Sequence, residues 1–436
     1  MMRKDVIKSL IVMKQRDIPF EVKKRDLSLP VDRAKIITLA GVRRCGKSTL
    51  MELAINDLVA SGVDRKRILW LGFDDERLVS MQAEDLDEVI KAYMELFPKI
   101  EIKDVFMFFD EIQLIKGWEY FVLRLFKSYC KNIFVCGSNA TMLSTELCTA
   151  LRGYPLEFKV YPLSFREYCT FNDLSCDDVT EQGMAALNAA FDVFLAEGAF
   201  PEAVLTKSKS ERVRLLQGYF DTMLLKDLCQ HYAITNTRCA SFLVKRLMEN
   251  LTKPSSINAI FGELKSLGLK LLKDDLYVWA GYLCEIFLFR RIPKYERSLN
   301  KEVHSLYKYY CVDNGLRSAV LLPRSDDFGK NLENTVFWNL QRHLSPLGRI
   351  SYYKGKSECD FVVEERDEVV ALYQVCWDLD SVDTKKREIR GLLEAASVTS
   401  CKNLFIVTRD EEDEIKIDAN TIKVIPVWKW MLHDLF

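Results

Sequence analysis

The sequence predicts an α/β fold built on a parallel sheet, followed by a helical stretch and a second α/β layout, and three observations predict it. The stretch "AKIITLAGVRRCGKSTLMELAINDLV" passes from an apolar β-rich run through a glycine-bearing loop into a helical pattern. The stretch "VFMFFDEIQ" is a continuous apolar run that ends in two acids. Beyond residue 313 the apolar runs "DFVVEE", "EVVALYQVCW", "NLFIVTRD" and "IKVIPVW" surround one helical pattern, "KKREIRGLLEAAS". Unbroken apolar runs of this length suit strands buried on both faces.

In the first stretch, Ile36 to Ala40 reads as a buried strand, and Leu50, Leu53, Ala54, Ile55 and Leu58 recur at helical spacing. Between them Gly41, Val42, Arg43, Arg44, Cys45, Gly46, Lys47 and Ser48 spell G-x-x-x-x-G-K-S, with Thr49 next. Strand, glycine loop and helix form the context of a P-loop. Glycines let backbone N–H groups curl around phosphate oxygens, and the helix start adds a positive end. The pattern predicts ATP as ligand, with Lys47 reaching the β- and γ-phosphates and Ser48 on Mg²⁺. Cys45 lies beside a helix N-terminus, where a thiolate is favoured, so its alkylation is expected to block ATP.

A P-loop needs a carboxylate on the far side of the metal. Asp110, at the end of the run Val105 to Phe109, is placed to hold Mg²⁺ through water. Glu111 follows as the base that polarises an attacking water. Ile133 to Cys136 reads as a further strand, and Asn139 just beyond it suits the γ-phosphate or the water, although these polar residues also suit a turn that opens a helix. Arg67 to Leu78 fits one more strand, and Leu156 to Tyr168 fits a strand leading into a helix. The nucleotide domain is expected over 31–165, after an N-terminal arm at 1–30.

These landmarks form part of an ordered set: "GVRRCGKST", "FFDEIQ" followed by Trp118, "CGSNA", "YPLSFREY", "EGAFPE", "LLKDL" before "YAITN", "VDNGL", "NLENTVFWNL", "ECDFVV" and "YQVCWDL". The chain resembles the prokaryotic AAA-type ATP-binding proteins whose C-terminal half is a domain of unknown function. The resemblance implies an AAA-like ATPase core, which turns ATP and water into ADP and phosphate. It also implies a small helical segment (166–240), a winged-helix-like module (241–312) and a restriction-endonuclease-like domain (313–436). Within 166–240, Leu215, Leu216, Tyr219, Met223 and Leu224 form an apolar stripe. The sequence departs from the family in "LRGYPLEF", where the usual arginine after the glycine is Tyr154 and the nearby arginine is Arg152. Arg152, Arg43 and Arg44 are rival sources of a cation at the phosphates, and the last two also suit a salt bridge between domains. An oligomer is compatible with each.

Composition narrows the partners. Net charge is −1, so any nucleic-acid contact must come from a local patch. From Ser241 to Tyr310 there are 12 Lys/Arg against 7 Asp/Glu, a net of +5. Arg290, Arg291, Lys294, Arg297 and Lys301 cluster near Tyr295, a group that suits DNA phosphates or the solvated edge of a module packed on protein. The protein partner is not written in the sequence. The 13 cysteines include no C-x-x-C pair and only 4 histidines accompany them, which argues against zinc and for a reducing compartment. No signal-like or membrane-spanning run appears, so a cytoplasmic protein is expected.

In the C-terminal segment the resemblance directs attention to Glu333, near the start of "NLENTVFWNLQRHL", and to Asp360. In active restriction-like nucleases two such acids join an acid and a lysine on the next strand. Here the corresponding places are Gln374 and Cys376. A neutral amide is a poor Mg²⁺ ligand and a thiol does not replace an ammonium. The reading is a retained fold without nuclease chemistry. Its rescue would need Glu358, which faces the same side as Asp360, together with Lys354 or Lys356.

Overall fold

The expected strands of the first half pair in parallel: β1 (Ile36–Gly41), β2 (Ile68–Gly72), β3 (Phe106–Asp110), β4 (Asn132–Gly137) and β5 (Pro155–Val160). Their order is β2-β3-β4-β1-β5 in a computed structural model that describes residues 3–31, 33–137, 151, 153–296, 298–303, 305–322 and 327–433. β1 and β3 bury almost every residue, because helices cover both faces of a parallel sheet. The strand ending in Asp110 is separated from the P-loop strand by β4 alone. The C-terminal ends of the three therefore line one edge, where open α/β sheets bind ligands.

The chain divides into two compact units, one of residues 1–162 with 285–287 and one of residues 163–284 with 288–436. In the first unit the helix Arg3–Arg16 buries Ile7 and Ile11 in the core that also holds Leu69, Met107, Phe109 and Ile133. The segment read as an arm thus contributes apolar side chains to the nucleotide unit.

In the second unit, the helix Lys209–Thr222 continues into π-helical winding over Met223–Gln230, and Leu216, Tyr219, Met223 and Leu224 of the expected stripe are buried. The helices Thr237–Glu249, Ile257–Ser266 and Lys273–Glu285 follow. They accompany a small antiparallel sheet of β6 (Pro254–Ser255), β7 (Phe289–Ile292) and β8 (Tyr307–Cys311), in the order β6-β8-β7.

The C-terminal segment forms a mixed six-stranded sheet, in the order β13-β14-β12-β11-β10-β9. The strands are β9 (Gly348–Lys354), β10 (Glu358–Glu365), β11 (Glu368–Val375), β12 (Leu404–Thr408), β13 (Asp413–Ile417) and β14 (Asn420–Pro426). The helix Val382–Thr399 links β11 to β12, which pair in parallel. The helix Asp327–His343 carries Glu333. β9 and β13 do not stand out as apolar runs in the sequence, and both are edge strands, which need less apolar surface.

Candidate active site and a buried polar cluster

The P-loop is shaped by two glycines. A Cβ on Gly41 would lie 2.0 Å from the Val160 carbonyl oxygen, so only glycine lets β1 end this close to β5. Gly46 takes φ 97° at the start of the helix Lys47–Ala60, a left-handed conformation that glycine adopts without strain. The Lys47 ammonium donates to the Gly41 and Val42 carbonyls at 3.1 and 2.9 Å and is 5% exposed. Arg43 is half-buried and Arg44 exposed. The Cys45 thiol is fully buried and donates to the Val160 carbonyl at 3.3 Å. This corrects the expectation of a reactive thiol, because an alkylating reagent has no access to a sulfur packed beneath the loop. Cys45 contributes to the loop through its backbone.

Sequence reasoning missed Arg25. Its guanidinium is 6% exposed and bridges the Cys45 carbonyl, at 2.9 Å, and the Tyr161 carbonyl, at 3.0 Å. With loop carbonyls engaged by Lys47 and Arg25, the loop N–H groups are favoured as the anion-facing side. Arg25→Ala is expected to raise the Kd for ATP by roughly 3- to 30-fold, less than the full worth of a charge-assisted hydrogen bond, because Arg25 acts on the nucleotide only through the loop. Arg25→Lys should recover only part of this, because a single ammonium lacks the planar fork. Calorimetric titration decides it, and unchanged affinity in Arg25→Ala would remove the assignment.

On the acid side, Asp110 pairs in register with Cys136 of β4. Asp110 accepts a hydrogen bond from the Cys136 thiol, and the Ser48 hydroxyl is near enough to favour its charged form, so the two residues expected on Mg²⁺ lie close together. Burial raises the Asp110 carboxyl above its usual range, the Cys136 thiol and the nearby Ser48 hydroxyl pull it back, and the charges of Glu111 and Asp74 push it up again. Burial also holds the Cys136 thiol well above its ordinary value. Glu111 has φ 51°, an uncommon conformation for a residue with a side chain, and the Gln113 amide donates to its carboxylate. Asn139 and Arg152 lie outside the described residues.

The acids of the C-terminal segment converge on a lysine the sequence did not single out. The Lys308 ammonium, on β8 and 1% exposed, lies 3.2 Å from Glu333, 3.2 Å from Asp360 and 2.8 Å from Glu358. The Tyr310 hydroxyl donates to Glu333 at 2.9 Å, and the Val375 N–H donates to the second Asp360 oxygen at 3.0 Å. Gln374 is buried, accepts the Asp360 N–H at 3.3 Å and donates its amide to Glu388. Cys376 sits in an apolar core with Leu392, Ala395 and Leu404, where burial raises its thiol. Lys354 pairs with Glu358 at 2.7 Å, while the Lys356 N–H donates to Glu394. Among the described residues no group of His, Cys, Asp and Glu side chains is arranged to hold a metal ion.

Burial opposes the Lys308 charge, yet its three carboxylates raise it above the ordinary lysine value. Burial pushes Glu333 up to about 8, helped by Asp360 and opposed by Lys308. Burial alone would also raise Glu358, but Lys308 and Lys354 hold it below its usual range. The sign for Glu333 follows from linkage. Between 4.5 and about 8 the folded state binds this proton more tightly than the unfolded state, so stability falls as pH rises through that window. The Lys308 contribution is present throughout it and is lost only above the ordinary lysine value of 10.5. The Glu358 contribution is lost only below 4.5. Urea midpoints of the full chain should therefore drift down from about pH 5 to pH 8, and Glu333→Gln should lessen a drift to which Asp313 and Asp360, also raised by burial, contribute. An identical slope in both proteins would refute the assignment.

Part of the basic cluster near β7 is engaged locally. Lys294 pairs with Glu296 at 2.6 Å, and the Arg291 guanidinium lies 4.5 Å from the Tyr307 ring centre. Arg297 lies outside the described residues. Among the described residues no helix is long and apolar enough to cross a membrane.

Residues 33–169 match the family described as an AAA domain, and residues 188–327 match a domain of unknown function, DUF8612. An uncharacterized protein of Methanocaldococcus jannaschii is 29% identical over 94% of this chain and 90% of its own length. An uncharacterized protein of Haemophilus influenzae is 28% identical over 91% of this chain and 94% of its own. Among solved structures, the Aeropyrum pernix ORC1 protein in complex with DNA is 12% identical, with a TM-score of 0.30 over 73% of this chain and 91% of its own. The AAA match spans all five strands of the parallel sheet in the first unit.

Proposed function

We propose that the protein is a Mg²⁺-dependent ATPase that couples its nucleotide state to domain rearrangement and to engagement of a partner. The observation that carries the reading is the placement of Asp110 at the end of β3, at the sheet edge where the P-loop ends β1, with Ser48 close by and Glu111 next in the chain. A hydroxyl and a carboxylate on the same edge are hard oxygen donors of the kind Mg²⁺ takes. Ser48 and Asp110 would hold the ion, and the ion would screen the phosphate charge. Lys47 binds the β- and γ-phosphates, Gly46 and the start of the helix Lys47–Ala60 present N–H groups to them, and Arg25 fixes the loop. Glu111 takes the proton of the attacking water. The Gln113 amide orients the Glu111 carboxylate without supplying a positive charge.

The arrangement of helices and small sheet over 237–311 supports a winged-helix-like connector. The mixed sheet with one linking helix supports a restriction-endonuclease-like fold for the C-terminal segment. With Gln374 and Cys376 in the places of acid and lysine, that segment serves as a docking element for the partner and not as a nuclease. Steady-state phosphate release with ATP, in Mg²⁺ and in excess EDTA, tests the proposal. Release that needs Mg²⁺ is expected. Nucleotide binding without measurable turnover would replace the ATPase with a nucleotide-gated switch.

A further inference from the structure

The polar cluster around β8 has the form of a cation site with the cation supplied by the chain. Three carboxylates from two elements, Glu333 on the helix Asp327–His343 and Glu358 and Asp360 on β10, surround one ammonium at 2.8 to 3.2 Å. Each carboxylate has a further tie: Tyr310 on Glu333, Lys354 on Glu358 and the Val375 N–H on Asp360. Buried carboxylates in such proximity need a positive charge among them.

We infer that Lys308 is the resident cation of this cage, holding the place a divalent metal ion would take and excluding it. The geometry fits an ammonium better than a metal. Divalent ions sit about 2.0–2.6 Å from carboxylate oxygens, so a metal would need the cage to contract by roughly 0.5–1 Å. Nor is there room for both, because the ammonium lies between the three acids. The lysine is delivered by the run "YKYYC", in which Tyr309, Tyr310 and Cys311 are buried and Tyr307 half-buried, and its own side chain is 1% exposed. Removing the ammonium while keeping the carboxylates leaves three oxygen donors of the class that binds Mn²⁺ or Mg²⁺.

The test is Mn²⁺ titration of nucleotide-free protein, read by the loss of the free-ion electron paramagnetic resonance signal. Wild type and Glu333→Gln should bind Mn²⁺ equally, because the wild-type cage is closed. Lys308→Ala should gain one Mn²⁺ per chain with a Kd below about 1 mM. Adding Asp360→Asn to Lys308→Ala should abolish the gain. Mn²⁺ should also raise the melting temperature of Lys308→Ala and leave that of wild type unchanged. Wild-type Mn²⁺ binding that disappears in Glu333→Gln overturns the inference, as does a folded Lys308→Ala protein with no gain. If Lys308→Ala folds only when Mn²⁺ is present, that rescue supports it. If it folds in neither condition, the comparison of wild type with Glu333→Gln decides alone.

Discussion

ATP hydrolysis by Glu111→Gln is expected to fall by roughly 10²–10⁴-fold while ATP binding stays near the parental level, the signature of losing a positioned general base. The substitution keeps the size and shape of the side chain. Its amide oxygen still accepts from Gln113, so the turn after β3 has no reason to move. The Cys136–Asp110 hydrogen bond is untouched, and so are the Lys47 and Arg25 contacts of the loop. What disappears is the capacity to take a proton. Phosphate release under saturating Mg-ATP, together with a direct binding titration, separates the two quantities. Hydrolysis at the parental rate would place the base on another residue.

Lys47→Ala should weaken ATP binding by about 10- to 150-fold, from about 1.5–3 kcal/mol for one charge-assisted contact. The structure adds a second route to the same loss. The ammonium also holds the Gly41 and Val42 carbonyls, so its removal loosens the loop that must meet the phosphates. Thermal melting without nucleotide measures that loosening and keeps it apart from lost phosphate contact. Equal ATP affinity in Lys47→Ala and the parent would sink the P-loop assignment.

The sequence carried the nucleotide unit because its chemistry is local. Gly41, Gly46, Lys47 and Ser48 belong to one short loop, and Asp110 and Glu111 end one apolar run, so strand, loop and site announce each other. Contacts made across the fold were less legible. Arg25 looks like any basic residue in "VKKRDL", and only the folded chain brings it to the Cys45 carbonyl. Its neighbours suggest a reactive Cys45, but β5 lies over its sulfur, a fact of sheet order that no local pattern states. Lys308 did leave a trace, a lone lysine in a strand of tyrosines and a cysteine that are mostly buried. A charge in such a run calls for buried counter-charges. Which acids supply them depends on the approach of β8, β10 and the helix Asp327–His343, and that distance is tertiary.

Lys308 also bears on how pieces of this protein can be exchanged between relatives. A boundary at 312/313 puts the ammonium in one segment and Glu333, Glu358 and Asp360 in the other. Removing one member of a buried ion pair costs about 3–5 kcal/mol, a large share of the stability of an ordinary domain. The two segments are therefore not free modules, however cleanly the helices and strands divide there. A crossover at that point is tolerated where both parents carry a lysine at position 308, and it strands three acids or one base where only one parent does. Fragments for separate expression, and chimeras built from such relatives, should keep residues 307–311 together with the helix Asp327–His343 and β10.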